Sequence, residues 1–300
     1  MLSRRRAACM ATFQMTPVTI PERLETGFRG RSDGAAWLDR LPGAIRGLAQ
    51  RWSLTPGAPY GGASCSWVAP CTRRGTPAVL KVGWPHMEAR DEIDGLLLWD
   101  GDPTVRVFEA DRELNAMLLE RCEPGAVLRE RPEEEQDRVI AGLLRRLWRT
   151  EPGSHPFRPL SEMIAEWTRE SEERADLLPD AGLAREGLRI YQALLADSTG
   201  DVLLATDLHA GNVLRAQRQP WLVIDPKPFV GDPAYDATQH LLNCPGRLRS
   251  RPSPTIGPFS DLLGVDPERV RLWTFARLAS DPWEPGHDSQ VLARRVLSAW

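Results

Sequence analysis

The chain has 300 residues, 42% of them apolar and 26% charged, with 38 basic and 41 acidic side chains and a net charge of −3. That balance fits one large domain or two lobes around a buried core, and it excludes a disordered chain and a collagen or coiled-coil rod. Apolar runs such as residues 96–99 fall far short of a bilayer span, and without a basic excess nucleic acid is not the expected partner.

Residues 1–34 show no clear period; the first 15 carry Arg4, Arg5 and Arg6 without an acid and read as a ragged terminus rather than an export signal. Apolar residues at Trp37, Leu41, Ile45, Leu48 and Trp52 predict a helix over 35–52, with Pro42 as a kink. A small-residue loop follows at 56–66, then a buried strand at 77–83 and a helix at 87–99. Two more strands are expected at 104–109 and 114–120. After residue 121 long helical patterns take over at 133–149, 160–177 and 184–196. Short apolar pieces at 202–205, 213–214 and 221–224 are separated by polar turns, and the tail from Pro233 reads as helices broken by Pro-rich loops. The pattern is α+β with two lobes: an N-terminal extension, partly flexible, at 1–34, a small β-rich N-lobe at 35–121 and a larger helical C-lobe at 122–300.

Five cysteines, Cys9, Cys65, Cys71, Cys122 and Cys244, are odd in number and form no C-x-x-C pair. A disulfide framework and a zinc ribbon are both excluded, and a reducing cytoplasm is the expected home. Of the 38 basic residues 36 are Arg; the two lysines are Lys81 and Lys227. In so Arg-rich a chain, they mark positions where a compact ammonium is wanted.

The chemistry concentrates in Asp207-Leu-His-Ala-Gly-Asn212, a D-x-x-x-x-N turn between two short strands, followed by Asp225 at the end of the next strand. Phosphoryl transfer accounts for the pattern: Asp207 orients an acceptor hydroxyl and takes its proton, while Asn212 and Asp225 offer hard oxygens to Mg²⁺. Lys81, inside a strand, can reach nucleotide phosphates, with Glu92 or Glu88 on the next helix holding its ammonium. Taken alone, Asp207 and Asn212 are ordinary turn residues; the company of Asp225 and Lys81 tips the reading to catalysis.

The stretches 205–214, 221–227 and 230–236, with Val79-Leu-Lys-Val-Gly-Trp-Pro85 and Leu118-Leu-Leu-Glu-Arg-Cys122 upstream, resemble the aminoglycoside phosphotransferase family, in the branch of the streptomycin 6-kinases and hydroxyurea kinases. The resemblance covers roughly residues 35–300 and implies a protein-kinase-like fold that binds ATP between two lobes. It makes Asp207 the base, Asn212 and Asp225 the metal ligands, Lys81 the phosphate-binding lysine and Glu92 its partner. Gly61, Gly62 and Ser64 stand where the phosphate-covering loop belongs, and Glu120 to Cys122 where the backbone meets adenine. A cationic acceptor would want carboxylates, for which Asp232 and Glu284 are candidates. Two departures stand out. Ala205-Thr206 replaces the His-Gly that often precedes the base, which questions the rigidity of the loop. Pro226-Lys227 replaces Phe-Gly after Asp225, and Lys227 either neutralises phosphate or pairs with Asp232. His240 and Cys244 lie one helical turn apart without a second pair, which reads as structural.

The expectation is a monomeric, cytoplasmic ATP- and Mg²⁺-dependent O-phosphotransferase acting on a streptomycin-like aminoglycoside. Hydroxyurea, another antibiotic, an amino alcohol, or a non-catalytic pseudokinase are the alternatives. A protein kinase is disfavoured, because Gly231-Asp-Pro233 follows Asp225 too soon for an activation segment.

Overall fold

The computed structural model describes residues 18–149, 157–174, 178–198, 200–280 and 287–299. The chain divides into two compact units, residues 1–84 and 85–300.

In the first unit the predicted helix forms as α2 (Ser32–Arg51), with Pro42 inside it. Its apolar stripe, Leu38, Leu41, Ile45 and Leu48, is buried. A helix that the sequence did not signal, α1 (Glu22–Phe28), packs ahead of it. It is short, and only Leu24 and Phe28 are buried, so it carries almost no period. The two helices approach so closely that a Cβ on Gly34 would lie 2.7 Å from the Phe28 ring. Three antiparallel strands follow, β1 (Leu54–Pro56), β2 (Ser66–Arg73) and β3 (Thr76–Gly83). Strand β2 was not expected, because Pro70 interrupts it; its alternate residues Trp67, Ala69 and Cys71 nevertheless face inward. Arg74 and Gly75, both at positive φ (50° and 85°), close the β2–β3 hairpin as a primed turn requires.

The second unit begins with a tight turn at Glu88–Asp91 and α3 (Glu92–Trp99), then a hairpin of β4 (Val107–Asp111) and β5 (Ala116–Glu120). Helices α4 (Glu133–Leu147), α5 (Leu160–Glu173) and α6 (Ala181–Ala196) follow as the periodicity predicts. Four short strands come next: β6 (Val202–Leu204) pairs antiparallel with β9 (Phe229–Gly231), and β7 (Val213–Arg215) with β8 (Trp221–Val223). Strand β9 was not foreseen, since three residues leave no pattern. The tail forms α7 (Pro233–Leu242), α8 (Pro245–Ser250), α9 (Pro252–Leu263), α10 (Pro267–Ser280) and α11 (His287–Ser298). Four of these helices begin on a proline, so these prolines start helices where the missing N–H costs nothing. One core runs through this unit, from Leu144 and Leu147 through Leu203, Leu204 and Phe229 to Trp273 and Phe275.

Candidate active site

The paired short strands fix the site. Strand β6 delivers Ala205, Thr206 and Asp207 at its end. The β7–β8 ladder sets Val213 against Val223, and the Ile224 N–H donates to the Asn212 carbonyl (2.9 Å). Asn212 and Asp225 are thus neighbours across a hairpin base. Thr206 and Asp225 both hold positive φ (44° and 56°), a conformation that costs about 1–3 kcal/mol outside glycine.

The loop before the base is tied down although its His-Gly is missing. Buried Asp236, in the first turn of α7, accepts the Ala205 N–H (3.0 Å), the Thr206 N–H (2.7 Å) and the Trp148 indole N–H (2.9 Å). The Thr206 hydroxyl donates to the Lys227 carbonyl (2.6 Å), and the Lys227 N–H donates to the Ala205 carbonyl (2.8 Å). Burial pushes the Asp236 carboxyl up to about 6 against those donors.

Asp207 takes a hydrogen bond at Oδ1 from Gln239 Nε2 (2.7 Å), and its carbonyl accepts from Asn212 Nδ2 (3.0 Å). Burial raises its carboxyl to about 6; Lys227 and Arg277 oppose the rise, and Asp225 and Glu88 add to it. His209 Nδ1 accepts the Gly211 N–H (2.9 Å) and lies 3.0 Å from Arg129, which places the ring proton on Nε2, 4.0 Å from Asp207 Oδ1. Burial, reinforced by Arg129, lowers the His209 pKa to about 4, so the ring is a neutral orienting group.

Lys227 is buried and its ammonium sits on Asp225 Oδ1, with Glu92 3.8 Å away. Burial works against the charge, but Asp225, Glu92 and Asp207 outweigh it and hold the ammonium well above its usual pKa. Helix α3 comes this close because Gly95 meets Pro228, where a Cβ would lie 2.8 Å from the ring. The pairing of Lys227 with Asp232 is not what forms. Asp232 is buried and caps α7 through the Ala234 N–H (2.9 Å), while Arg269 and the Trp273 indole each donate to it at 2.6 Å. Its carboxylate is taken up inside the fold, which leaves it poorly placed for the substrate contact read from the sequence.

Asn212 and Asp225 present an amide oxygen and a carboxylate, the hard donors Mg²⁺ takes, and Mg²⁺ needs few protein ligands. Among the described residues no group of three or more His, Cys, Asp or Glu could cage a metal. His240 Nε2 donates to the Asp137 carboxylate (2.8 Å), which Arg247 also grips, so its role with buried Cys244 is structural.

A cavity of about 100 Å³ opens beside Asp207, lined by Glu88, Trp167, Lys227, Tyr235, Gln239 and Arg277. Glu88 is placed by buried Arg158, which pairs with Asp91 (2.7 Å), donates to the Met87 carbonyl (2.7 Å) and lies over Phe229 (4.6 Å). The Trp167 indole donates to Glu88 (3.1 Å). Gln239 and Arg277 carry no signal in the sequence, and Asp236 closes the 230–236 stretch with no motif there that marks its task.

The remaining candidates sit elsewhere. Lys81 lies buried on β3 of the first unit. Gly61, Gly62 and Ser64 are exposed in the β1–β2 loop. The Glu120 carboxylate is held by Arg218 (Nη2 to Oε2 2.8 Å, Nε to Oε1 3.0 Å), and burial pushes the Cys122 thiol up to about 11. Glu284 and the first 15 residues lie outside the described residues.

A family model described as aminoglycoside/hydroxyurea antibiotic resistance kinase matches residues 51–283. A hydroxyurea phosphotransferase of Kitasatospora aureofaciens is 36% identical over 291 residues, 94% of this chain and 84% of that protein. A streptomycin 6-kinase of Streptomyces griseus is 33% identical over 274 residues, 87% of this chain and 89% of that protein. Among solved structures, a choline kinase of Streptococcus pneumoniae superposes with a TM-score of 0.61 at 15% identity, over 85% of this chain and 96% of that one. An aminoglycoside phosphotransferase in ternary complex with ADP and hygromycin B gives 0.57 at 14%, over 85% and 97%. The fold is the α+β, protein-kinase-like fold expected from the sequence. With the D-x-x-x-x-N turn, the second aspartate and the fold in agreement, the chain belongs to the aminoglycoside/hydroxyurea antibiotic resistance kinase family and is a kinase-type phosphotransferase.

Proposed function

We propose that the chain transfers the γ-phosphoryl group of ATP to a hydroxyl of a small-molecule antibiotic, with a streptomycin-like aminoglycoside as the acceptor read from the sequence. One observation carries the reading: Asp207, pushed up to about 6, stands in the wall of a cavity with one carboxylate oxygen held by Gln239. Asp207 accepts the proton of the hydroxyl as it attacks phosphorus and the bond to ADP breaks. Asn212 and Asp225 would hold Mg²⁺, which neutralises charge on the phosphates. Lys81 serves the phosphates, and Lys227 balances the carboxylates around it, Asp225 and Glu92. Gly61, Gly62 and Ser64 cover the nucleotide, and the backbone of residues 120–122 meets adenine. In this reading residues 35–121 form the nucleotide lobe and 122–300 the catalytic lobe of a cytoplasmic monomer. Glu284 remains a candidate acceptor contact.

Hydroxyurea is the second reading. The cavity is about 100 Å³, and Arg277 and Lys227 in its wall are balanced by Glu88 and Asp207, which suits a compact neutral acceptor. The test is ADP release from MgATP with streptomycin and with hydroxyurea in parallel. Turnover with streptomycin supports the first reading and turnover with hydroxyurea alone the second. Turnover with neither, in an enzyme that binds ATP, removes both acceptors.

A further inference from the structure

Gln239 and Arg277 stand between the candidate base and the aromatic wall of the cavity. Gln239 Nε2 donates to Asp207 Oδ1 at 2.7 Å, and Arg277 Nη2 donates to Gln239 Oε1 at 2.7 Å. A carboxylate cannot donate and a guanidinium cannot accept, so the amide fits between them in one orientation only. Arg277 is itself fixed. Its Nη1 donates to the hydroxyl of buried Thr238 (2.7 Å), and its guanidinium lies over the rings of Tyr235 (5.2 Å) and Trp167 (5.6 Å). The Thr238 hydroxyl is pinned in turn to the Tyr235 carbonyl (2.7 Å). The chain of contacts runs from a cavity wall on α10, through α7, to one oxygen of the base.

We propose that Gln239 and Arg277 are a positioning relay for the reaction. Arg277 sets the direction of the Gln239 amide, and Gln239 holds Oδ1 of Asp207 so that Oδ2 is presented to the acceptor hydroxyl. The relay rests on the reading of Asp207 as the base. A neutral amide suits the task, because it fixes the carboxylate's rotation without placing a cation directly on the proton-accepting group. In the relay both residues act through Asp207 rather than on the reacting atoms, so its loss falls on the turnover step; because both also line the cavity, the acceptor KM is free to move as well.

The test uses Gln239→Met, which keeps the length and loses the donor, with Arg277→Met and the double variant. Each is measured by ADP release with whichever of streptomycin and hydroxyurea the wild type turns over. Gln239→Met is expected to lower kcat by roughly tenfold to a hundredfold, with the KM for ATP within about threefold of wild type. Arg277→Met lowers kcat in the same way, and the double variant falls no further than Gln239→Met alone, because both act on one element. Arg277→Lys, which keeps a donor, recovers part of the loss. An unchanged kcat in Gln239→Met, or losses that multiply in the double variant, overturns the relay. Turnover of neither acceptor by the wild type is a failure of the functional reading, and the relay is then judged by crystallography. An Asp207 carboxylate rotated away in Gln239→Met supports it, and one left in place overturns it.

Discussion

Two loops with phosphate-handling roles in this account are built in opposite ways. Among the described residues the backbone of the β1–β2 loop is tied near its ends, by Gly57 N–H to the Pro70 carbonyl (2.7 Å), Tyr60 N–H to the Val68 carbonyl (2.8 Å) and Trp84 N–H to the Cys65 carbonyl (2.8 Å). Gly61 and Gly62 are exposed, and a Cβ on either would meet nothing within 4 Å. The loop leaving β6 is held at almost every polar group: both N–H groups before the base go to Asp236, the Thr206 hydroxyl to Lys227, and Asn212 to the Asp207 carbonyl. The difference matches the tasks proposed for the two loops. A covering loop must admit and release a nucleotide, which favours few anchors. A base must stand within a fraction of an ångström of its place, which favours many.

The contrast can be broken most severely at Asp236. Asp236→Ala leaves two buried backbone N–H donors, each worth about 1–3 kcal/mol, and the half-buried Trp148 indole without their acceptor. A stability loss of at least about 3 kcal/mol is expected in urea unfolding, with most of the turnover lost. A loss below about 1 kcal/mol would mean that the loop is held by something else.

The next largest effect is on pH. The Asp207 carboxyl lies near 6 in the folded protein, above its ordinary range, and the base works only when ionised. kcat/KM therefore rises with pH, about tenfold per unit below 6, and levels off above it. A profile flat from about pH 5 to about pH 8 contradicts the assignment.

Thr206 sharpens the comparison at the backbone. Its positive φ costs energy that its hydroxyl bond to Lys227 partly offsets. Thr206→Gly relieves the strain as it loses the bond and should change stability by less than about 1 kcal/mol. Thr206→Ala loses the bond and keeps the strain, and should cost about 1 kcal/mol more than the glycine variant in the same unfolding measurement.

The smallest effect belongs to the open loop. Gly61→Ala meets no atom, so stability should stay within about 0.5 kcal/mol of wild type.

The turn that carries Asp207 and Asn212 was legible because its chemistry is local: six consecutive residues and one aspartate soon after. The relay was not. Gln239 reaches Asp207 across 32 positions and Arg277 reaches Gln239 across 38, and no spacing rule links residues that only packed helices bring together. The long amphipathic helices α2, α4, α5 and α6 could be read from their periods. Strands β1 and β9, three residues each, and β2, with Pro70 inside it, could not. The prolines of the tail misled for a local reason: at a helix's first position proline starts what it would break three residues later. Lysine scarcity was a sound clue to Lys227, but its pairing with Asp225 needed the β8–β9 turn to be seen.

The most direct measurement compares wild type with Asp207→Ala, following both ADP release from MgATP with streptomycin or hydroxyurea and nucleotide binding by titration. The account predicts turnover of at least one acceptor by the wild type, and its loss in the variant by about a hundredfold or more with nucleotide affinity kept. Turnover by Asp207→Ala near the wild-type rate would contradict it.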